Sequence, residues 1–133
     1  MTVRTIIRMG NPHLRRVAQE MSAAEIRSQS TKELVQDMLE TMRAAEGIGL
    51  AAPQIDVDKQ LAIIGIPKDS ARYPDAQESE LMVLINPKIT VLDPTLQGFW
   101  EGCLSVPGLR GFVERPRKIS IEYLDLEGRP QQL

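Results

Sequence analysis

The sequence predicts a chain that is helical in its first third and β-rich afterwards, and three observations carry that reading. Leu34, Val35, Met38, Leu39 and Met42 recur at the spacing of one buried helix face. Beyond Gln60 the period changes: Leu61 to Ile66 and Leu81 to Ile85 are short β-prone runs bounded by proline or polar residues. Lys118 to Tyr123 then alternates polar and apolar side chains, the pattern of a strand with one buried face.

Taken in order, Asn11-Pro12 reads as a turn, followed by a short helical or irregular segment from His13 to Ala18. Ser30 with Glu33 makes a capping box for a helix from about Thr31 to Ala45. Gly47 stands where a helix C-terminal glycine is expected, and Gly49 lets the backbone continue in a conformation that side chains disfavour. The segment from Gly47 to Gln54 is therefore expected to be a loop leaving a helix. Pro67 to Glu80, with two prolines and several charges, reads as an exposed loop. Ile89 to Leu92 is expected as a separate strand before an Asp93-Pro94 turn. Asp125 to Gly128 turns the chain, and Gln131 to Leu133 begins the returning strand of a hairpin.

At 133 residues the chain is expected to be one domain, 1–133, able to bury a single core. Its 42% apolar and 26% charged residues exclude a disordered or collagen-like chain. A formal charge of -2 with scattered Lys and Arg leaves no basic footprint, so direct nucleic-acid binding is not expected. No apolar run approaches a membrane span, and the start lacks the features of a signal or transit peptide. The expected compartment is the bacterial cytoplasm. The single cysteine, Cys103, excludes an internal disulfide, fits a reducing compartment and stays available as a thiolate.

Two segments carry chemistry. Gly47-Ile48-Gly49-Leu50-Ala51-Ala52-Pro53-Gln54 satisfies the dinucleotide-binding pattern GxGxxA, but that pattern needs a strand before it and a helix after it. Here a helix precedes it and Pro53 follows, so nucleotide binding is rejected. The second segment is Glu101-Gly102-Cys103-Leu104-Ser105. A cysteine taken alone is more often a small buried hydrophobe than a ligand. As a ligand, its soft thiolate suits Fe(II) or Zn(II) better than Mg(II) or Ca(II). Glu101 by itself has the chemistry of a general acid or base. His13, the only histidine, stands unclustered and reads as an ordinary surface or packing residue.

Together the two segments resemble the first two signature motifs of peptide deformylases, metal-dependent amidases that remove the formyl group from N-terminal formylmethionine. The resemblance runs from about Val3 to Leu133. It implies an α+β fold, an N-terminal helix followed by mixed and antiparallel strands around a C-terminal helix. It implies Cys103 as a ligand to Fe2+, with Zn2+ or Ni2+ as alternatives. Gln54 and the Leu104 N–H would hold the oxyanion while metal-bound hydroxide attacks the formyl carbon. Ile48 and Phe99 would line the pocket for the methionine side chain, Gly49 would expose its backbone to the peptide, and Glu101, Gly102 and Arg110 would line the substrate channel. Glu101 would be braced by Arg115, a structural role that displaces acid–base work for this carboxylate. The implied partners are N-formylmethionyl nascent peptides at the ribosome.

The family's third motif, HExxH, is absent from these 133 residues. In that helix two histidines one turn apart hold the metal and the glutamate takes a proton from the attacking water. The expectation is accordingly a chain truncated before that helix, inactive alone, with an exposed sheet face that favours self-association. The competing expectation is a non-catalytic, degenerate member that binds peptide N-termini or borrows its missing helix from another chain.

Overall fold

The computed structural model describes residues 2–68, 70, 75 and 77–133. Helix α2, Gln29–Ala44, buries Leu34, Val35, Met38, Thr41 and Met42, steps of one, three and four residues that form a single inward stripe. Its cap is Ser28 and not Ser30: Ser28 has the extended backbone of a helix entry, and its side chain accepts from the Thr31 N–H. The capping box lies one element earlier. There Ser22 and Glu25 exchange side-chain and backbone hydrogen bonds at 2.9 and 3.2 Å to start the short helix α1, Ala23–Ile26. Before α1, the Asn11 side chain caps a single 3₁₀ turn over Pro12–Arg15, in keeping with the expected short helical segment.

The end of α2 departs from expectation in an informative way. The Gly47 N–H donates to the Met42 carbonyl and the Glu46 N–H to the Arg43 carbonyl, the paired bonds of a Schellman ending. The left-handed residue there is Glu46, with φ 57°, and not a glycine. Gly47 matters for space. A Cβ on it would sit 2.7 Å from Leu104 Cδ1, so its bare backbone lets the Leu104 side chain lie against the helix exit.

Five strands form one antiparallel sheet in sequential order: β1 Gly49–Ala51, β2 Leu61–Ile64, β3 Met82–Cys103, β4 Val106–Leu124 and β5 Pro130–Gln132. The expected loop after α2 is thus a strand, β1, followed by a 3₁₀ turn over Ala52–Ile55. Gly49 pairs with Ile64 and has no positive φ, so it needs no special backbone conformation. The two expected strands around Leu81 and Ile89 are one long strand. Asp93-Pro94 does not turn the chain. The register shifts between Val91 and Leu96 absorb it as an irregularity, the setting in which a strand accommodates a proline that cannot donate to the ladder. The expected returning strand after Asp125 to Gly128 is present as β5, paired with Glu122 to Leu124.

The core sits between α2 and the first strands. Met38, Ile63 and Ile85 are fully buried, and no buried apolar residue lies beyond Ile85 among the described residues. The β3–β4 hairpin instead exposes Ile89, Leu92, Leu96, Phe99, Trp100 and Phe112. The expected strand Lys118 to Tyr123 lies within β4 with Ile121 and Tyr123 half-buried and Lys118 and Glu122 exposed as the alternation predicts, while Ser120 is buried and Ile119 exposed against it. The expected exposed loop from Pro67 to Glu80 lies partly outside the described residues, and Ser70 within it is buried. No helix among the described residues is long and apolar enough to cross a membrane.

Candidate active site

Gln54 lies within the 3₁₀ turn Ala52–Ile55 after β1, and Cys103 ends β3 at the turn into β4. Although 49 positions separate them, the Gln54 Nε2 lies 3.6 Å from the Cys103 Sγ. The amide is oriented from its other end, where Oε1 accepts the Ala51 N–H at 2.9 Å. Nε2 also donates to the Ser105 hydroxyl at 3.1 Å. Cys103 is an exposed free thiol and Ser105 is buried. The neutral amide donor is suited to holding negative charge on a small bound group, and the accessible sulfur beside it to ligating a soft metal.

The frame around this pair is backbone. An N-terminal extended segment donates its Ile7 N–H to the Gln54 carbonyl and its Met9 N–H to the Ser105 carbonyl, both at 2.8 Å. That segment is anchored upstream on α2. The Arg4 guanidinium makes two bonds to Asp37, at 2.7 and 2.9 Å, while Thr2 and Arg4 N–H groups reach Asp37 and Thr41. The Arg4 hydrogen bonds, followed by the Thr2 N–H, hold the Asp37 carboxyl below the usual carboxylate range.

Arg115 pairs in register with Gln97, and its guanidinium reaches diagonally along the β3–β4 ladder to Glu101 in a fork with bonds of 2.6 and 2.7 Å. The two parallel charge-assisted bonds fix both side chains. Hydrogen bonding is the largest cause in both: it lowers the Glu101 pKa against an opposing desolvation, with charge attraction adding to it, and it raises that of Arg115 together with charge attraction. A carboxylate pinned in its ionised form by arginine has little use as a proton shuttle near neutrality. Glu101, Gly102, Cys103 and Arg110 share the lining of a shallow depression of about 300 Å³. Leu104 packs on Gly47 from the adjoining turn, and the Ile48 carbonyl accepts the Gly65 N–H beside the edge strand β1. Phe99 is 60% exposed on the hairpin and pairs in register with Val113. A larger cavity of about 510 Å³ lies between Leu39, Met42, Gly47 and Gly65, and neither Gln54 nor Cys103 lines it.

Cys103 fits a soft metal as one ligand, since it is accessible and next to a neutral donor. The set is not complete, because no three His, Cys, Asp or Glu side chains among the described residues stand together as a metal site. Hydrolytic metal centres use about three protein ligands. His13 is not among them. Its Nδ1 lies 2.6 Å from Asp56 Oδ1 at an exposed surface, with Arg16 at 3.3 Å from the same oxygen.

Four contributions to the site escape reasoning from residue type. Ser105 was part of a recognised motif without a role of its own, and a serine in a turn carries no signal beyond the turn. The Ala51, Ile7 and Met9 contributions come from main-chain N–H groups, which every residue but proline possesses.

Residues 3–133 match the family model described as polypeptide deformylase. A peptide deformylase of Leptospira biflexa serovar Patoc is 51% identical over 125 residues, covering 94% of this chain and 70% of the relative. A class I type b peptide deformylase from Acinetobacter baumannii, solved with the ligand K4U, superposes with a TM-score of 0.94 at 34% identity. That alignment covers 100% of this chain and 83% of the other. The same enzyme bound to Met-Ala-Ser gives a TM-score of 0.92 at 35% identity, over 99% and 82% of the two chains. With the family match running almost end to end, and with the two motif segments meeting at Gln54 and Cys103, the chain belongs to the polypeptide deformylase family.

Proposed function

We propose that this protein removes the formyl group from the N-terminal formylmethionine of newly made proteins. The carrying observation is the convergence of the Gln54 amide on the Cys103 sulfur at 3.6 Å, across 49 positions of sequence. Water adds to the formyl carbon, the carbon–nitrogen bond breaks, and formate leaves a free methionine amino group. Charge gathers on the formyl oxygen as water adds. Gln54 Nε2 and the Leu104 N–H donate to that oxygen, and such donors act most where charge develops. Cys103 would hold the metal as one ligand; its soft thiolate suits Fe2+, Zn2+ or Ni2+ better than Mg2+ or Ca2+, and the family resemblance puts Fe2+ first. The remaining ligands are assigned to an HExxH helix, following the family resemblance.

The same reading gives the other residues their roles. The edge strand β1 offers Gly49 as a backbone partner to an extended peptide, a mode in which main-chain hydrogen bonds bind without regard to sequence. Ile48 and Phe99 receive the methionine side chain, Gly102 and Arg110 border the peptide channel, and Arg115 keeps Glu101 and the Cys103 strand in place. The Met-Ala-Ser ligand of the Acinetobacter enzyme, a peptide beginning with methionine, supports that choice of substrate. We assign the protein to nascent chains at the ribosome, in the bacterial cytoplasm, as one catalytic domain. The relatives carry the enzyme's name, which lends no support to a degenerate, non-catalytic member.

The test is formate release from a formyl-methionyl peptide by protein loaded with Fe2+ or Zn2+, with and without an HExxH segment supplied in the same chain or as a fragment. Turnover and tightly held metal are expected when HExxH is supplied. A folded, metal-loaded protein with HExxH that releases no formate contradicts the function. Robust release without HExxH contradicts the assignment of ligands.

A further inference from the structure

We propose that Ser105 is a positioning residue for Gln54, fixing the plane of its amide so that one N–H is directed to the Cys103 side of the site. A glutamine amide has one acceptor and two donors, and the last torsion of its side chain is soft. The Ala51 N–H, at 2.9 Å from Oε1, fixes which end of the amide faces the second motif but leaves it free to rock. The Ser105 hydroxyl, at 3.1 Å from Nε2, supplies a second point of attachment and so defines the plane. With one hydrogen of Nε2 taken up by Ser105, the other is left for the Cys103 side, where the sulfur lies at 3.6 Å.

The contact is built from below. Ser105 is only 4% exposed, so its hydroxyl does not exchange freely among waters. The carbonyls of the two residues that touch, Gln54 and Ser105, are held by alternate N–H groups of one extended segment, Ile7 and Met9. That shared frame sets the separation of the two main chains, and the side chains bridge what remains. Without the hydroxyl, the amide rocks and its second donor spends part of its time away from the formyl oxygen. The inference rests on the proposed deformylation for its kinetic consequence, though the contact itself does not.

The experiment pairs nitrogen-15 NMR of the Gln54 side-chain amide with steady-state kinetics of the metal-loaded holoenzyme, for Ser105→Ala and Ser105→Thr. In Ser105→Ala the two Gln54 amide proton shifts should converge toward those of a free glutamine, while the Met9 backbone amide keeps its shift. An ordinary hydrogen bond corresponds to a loss of roughly two- to twelvefold. That loss should appear in kcat with KM unchanged, as for an interaction made in the transition state. Ser105→Thr, which retains a hydroxyl, should restore both readouts. Unmoved Gln54 resonances or unmoved kcat in Ser105→Ala would overturn the proposal, as would a folded Ser105→Thr no better than Ser105→Ala. Should Ser105→Ala not fold, the unsubstituted protein decides: a cross-peak between the Gln54 amide protons and the Ser105 β protons is expected, and its absence overturns the contact. A holoenzyme that releases no formate at all counts against the deformylase reading, and the NMR arm then decides the role of Ser105 alone.

Discussion

The half of the chain built from α2, β1 and β2 and the long β3–β4 hairpin dispose of their apolar side chains in opposite ways. The first buries them: Met38, Leu50, Leu61 and Ile63 form a continuous core with Ile85 at the root of β3. The hairpin leaves them out, with Trp100 at 65% and Phe99 at 60% exposed, and is held mainly by its ladder and by side-chain pairs such as Trp100 on Phe112. Each half brings one member of the candidate site. Gln54 comes from the packed half and Cys103 from the far end of the hairpin, and the N-terminal segment ties both to α2. The lesson is a division of labour: one region supplies stability, the other supplies reach, and chemistry is placed where they meet.

The comparison breaks most readily at the core. Met38→Ala removes a fully buried side chain from the face of α2, and such truncations cost about 2–5 kcal/mol, read as a lower midpoint in denaturant titration. A loss under 1 kcal/mol would mean that the packed half is not what holds the chain together.

The helix face that Met38 belongs to was legible because burial writes a 3.6-residue period into the sequence. The hairpin was legible only in pieces, as strands at Ile89 to Leu92 and Lys118 to Tyr123. With neither face buried, Ile89 to Cys103 has no pattern of alternation to read, and Asp93-Pro94 looked like a turn because its local chemistry is that of a turn. Only the ladder with β4, a contact between distant residues, overrides it. The cap of α2 was misread because serines at 28 and 30 both satisfy the local rule, and the path of the chain from α1 selects Ser28. Gln54 and Cys103 were legible as motif residues through resemblance. Their approach, and the contact of Gln54 with Ser105, depends on main-chain bonds from Ile7 and Met9 that leave no mark on residue type.

A smaller effect is expected at the brace within the hairpin. Glu101→Gln keeps the shape of the fork but removes its charge, and loss of such a supporting partner should lower formate release by roughly tenfold with the fold intact. Unchanged turnover would count against the brace. The sign of its pH dependence follows from the lowered Glu101 pKa. The pair contributes fully above the ordinary carboxylate value of 4.5 and loses its contribution as acid protonates Glu101 below it. Stability should therefore fall less steeply in acid for Glu101→Gln than for the unsubstituted protein, and identical acid limbs would contradict the assignment.

The smallest change in stability is expected at the exposed surface of the hairpin. Trp100→Ser should lower stability by no more than about 1.5 kcal/mol, the most that its edge contact with Phe112 contributes. It should nonetheless reduce self-association at high concentration, measured by sedimentation, because it shrinks an exposed apolar patch. A stability loss comparable to that of Met38→Ala would erase the contrast between the two regions.

The central claim, that the two halves meet to form one reacting centre with different duties, is tested by measuring metal content and formate release together on Gln54→Ala and Cys103→Ala of the metal-loaded enzyme. Gln54→Ala should retain its metal and lose roughly 10²–10³-fold in kcat, the cost of removing one oxyanion donor. Cys103→Ala should lose the metal and activity with it, since affinity depends on ligands acting together. A Gln54→Ala enzyme that turns over at the unsubstituted rate, or a Cys103→Ala enzyme that holds its metal as tightly as before, would contradict the account.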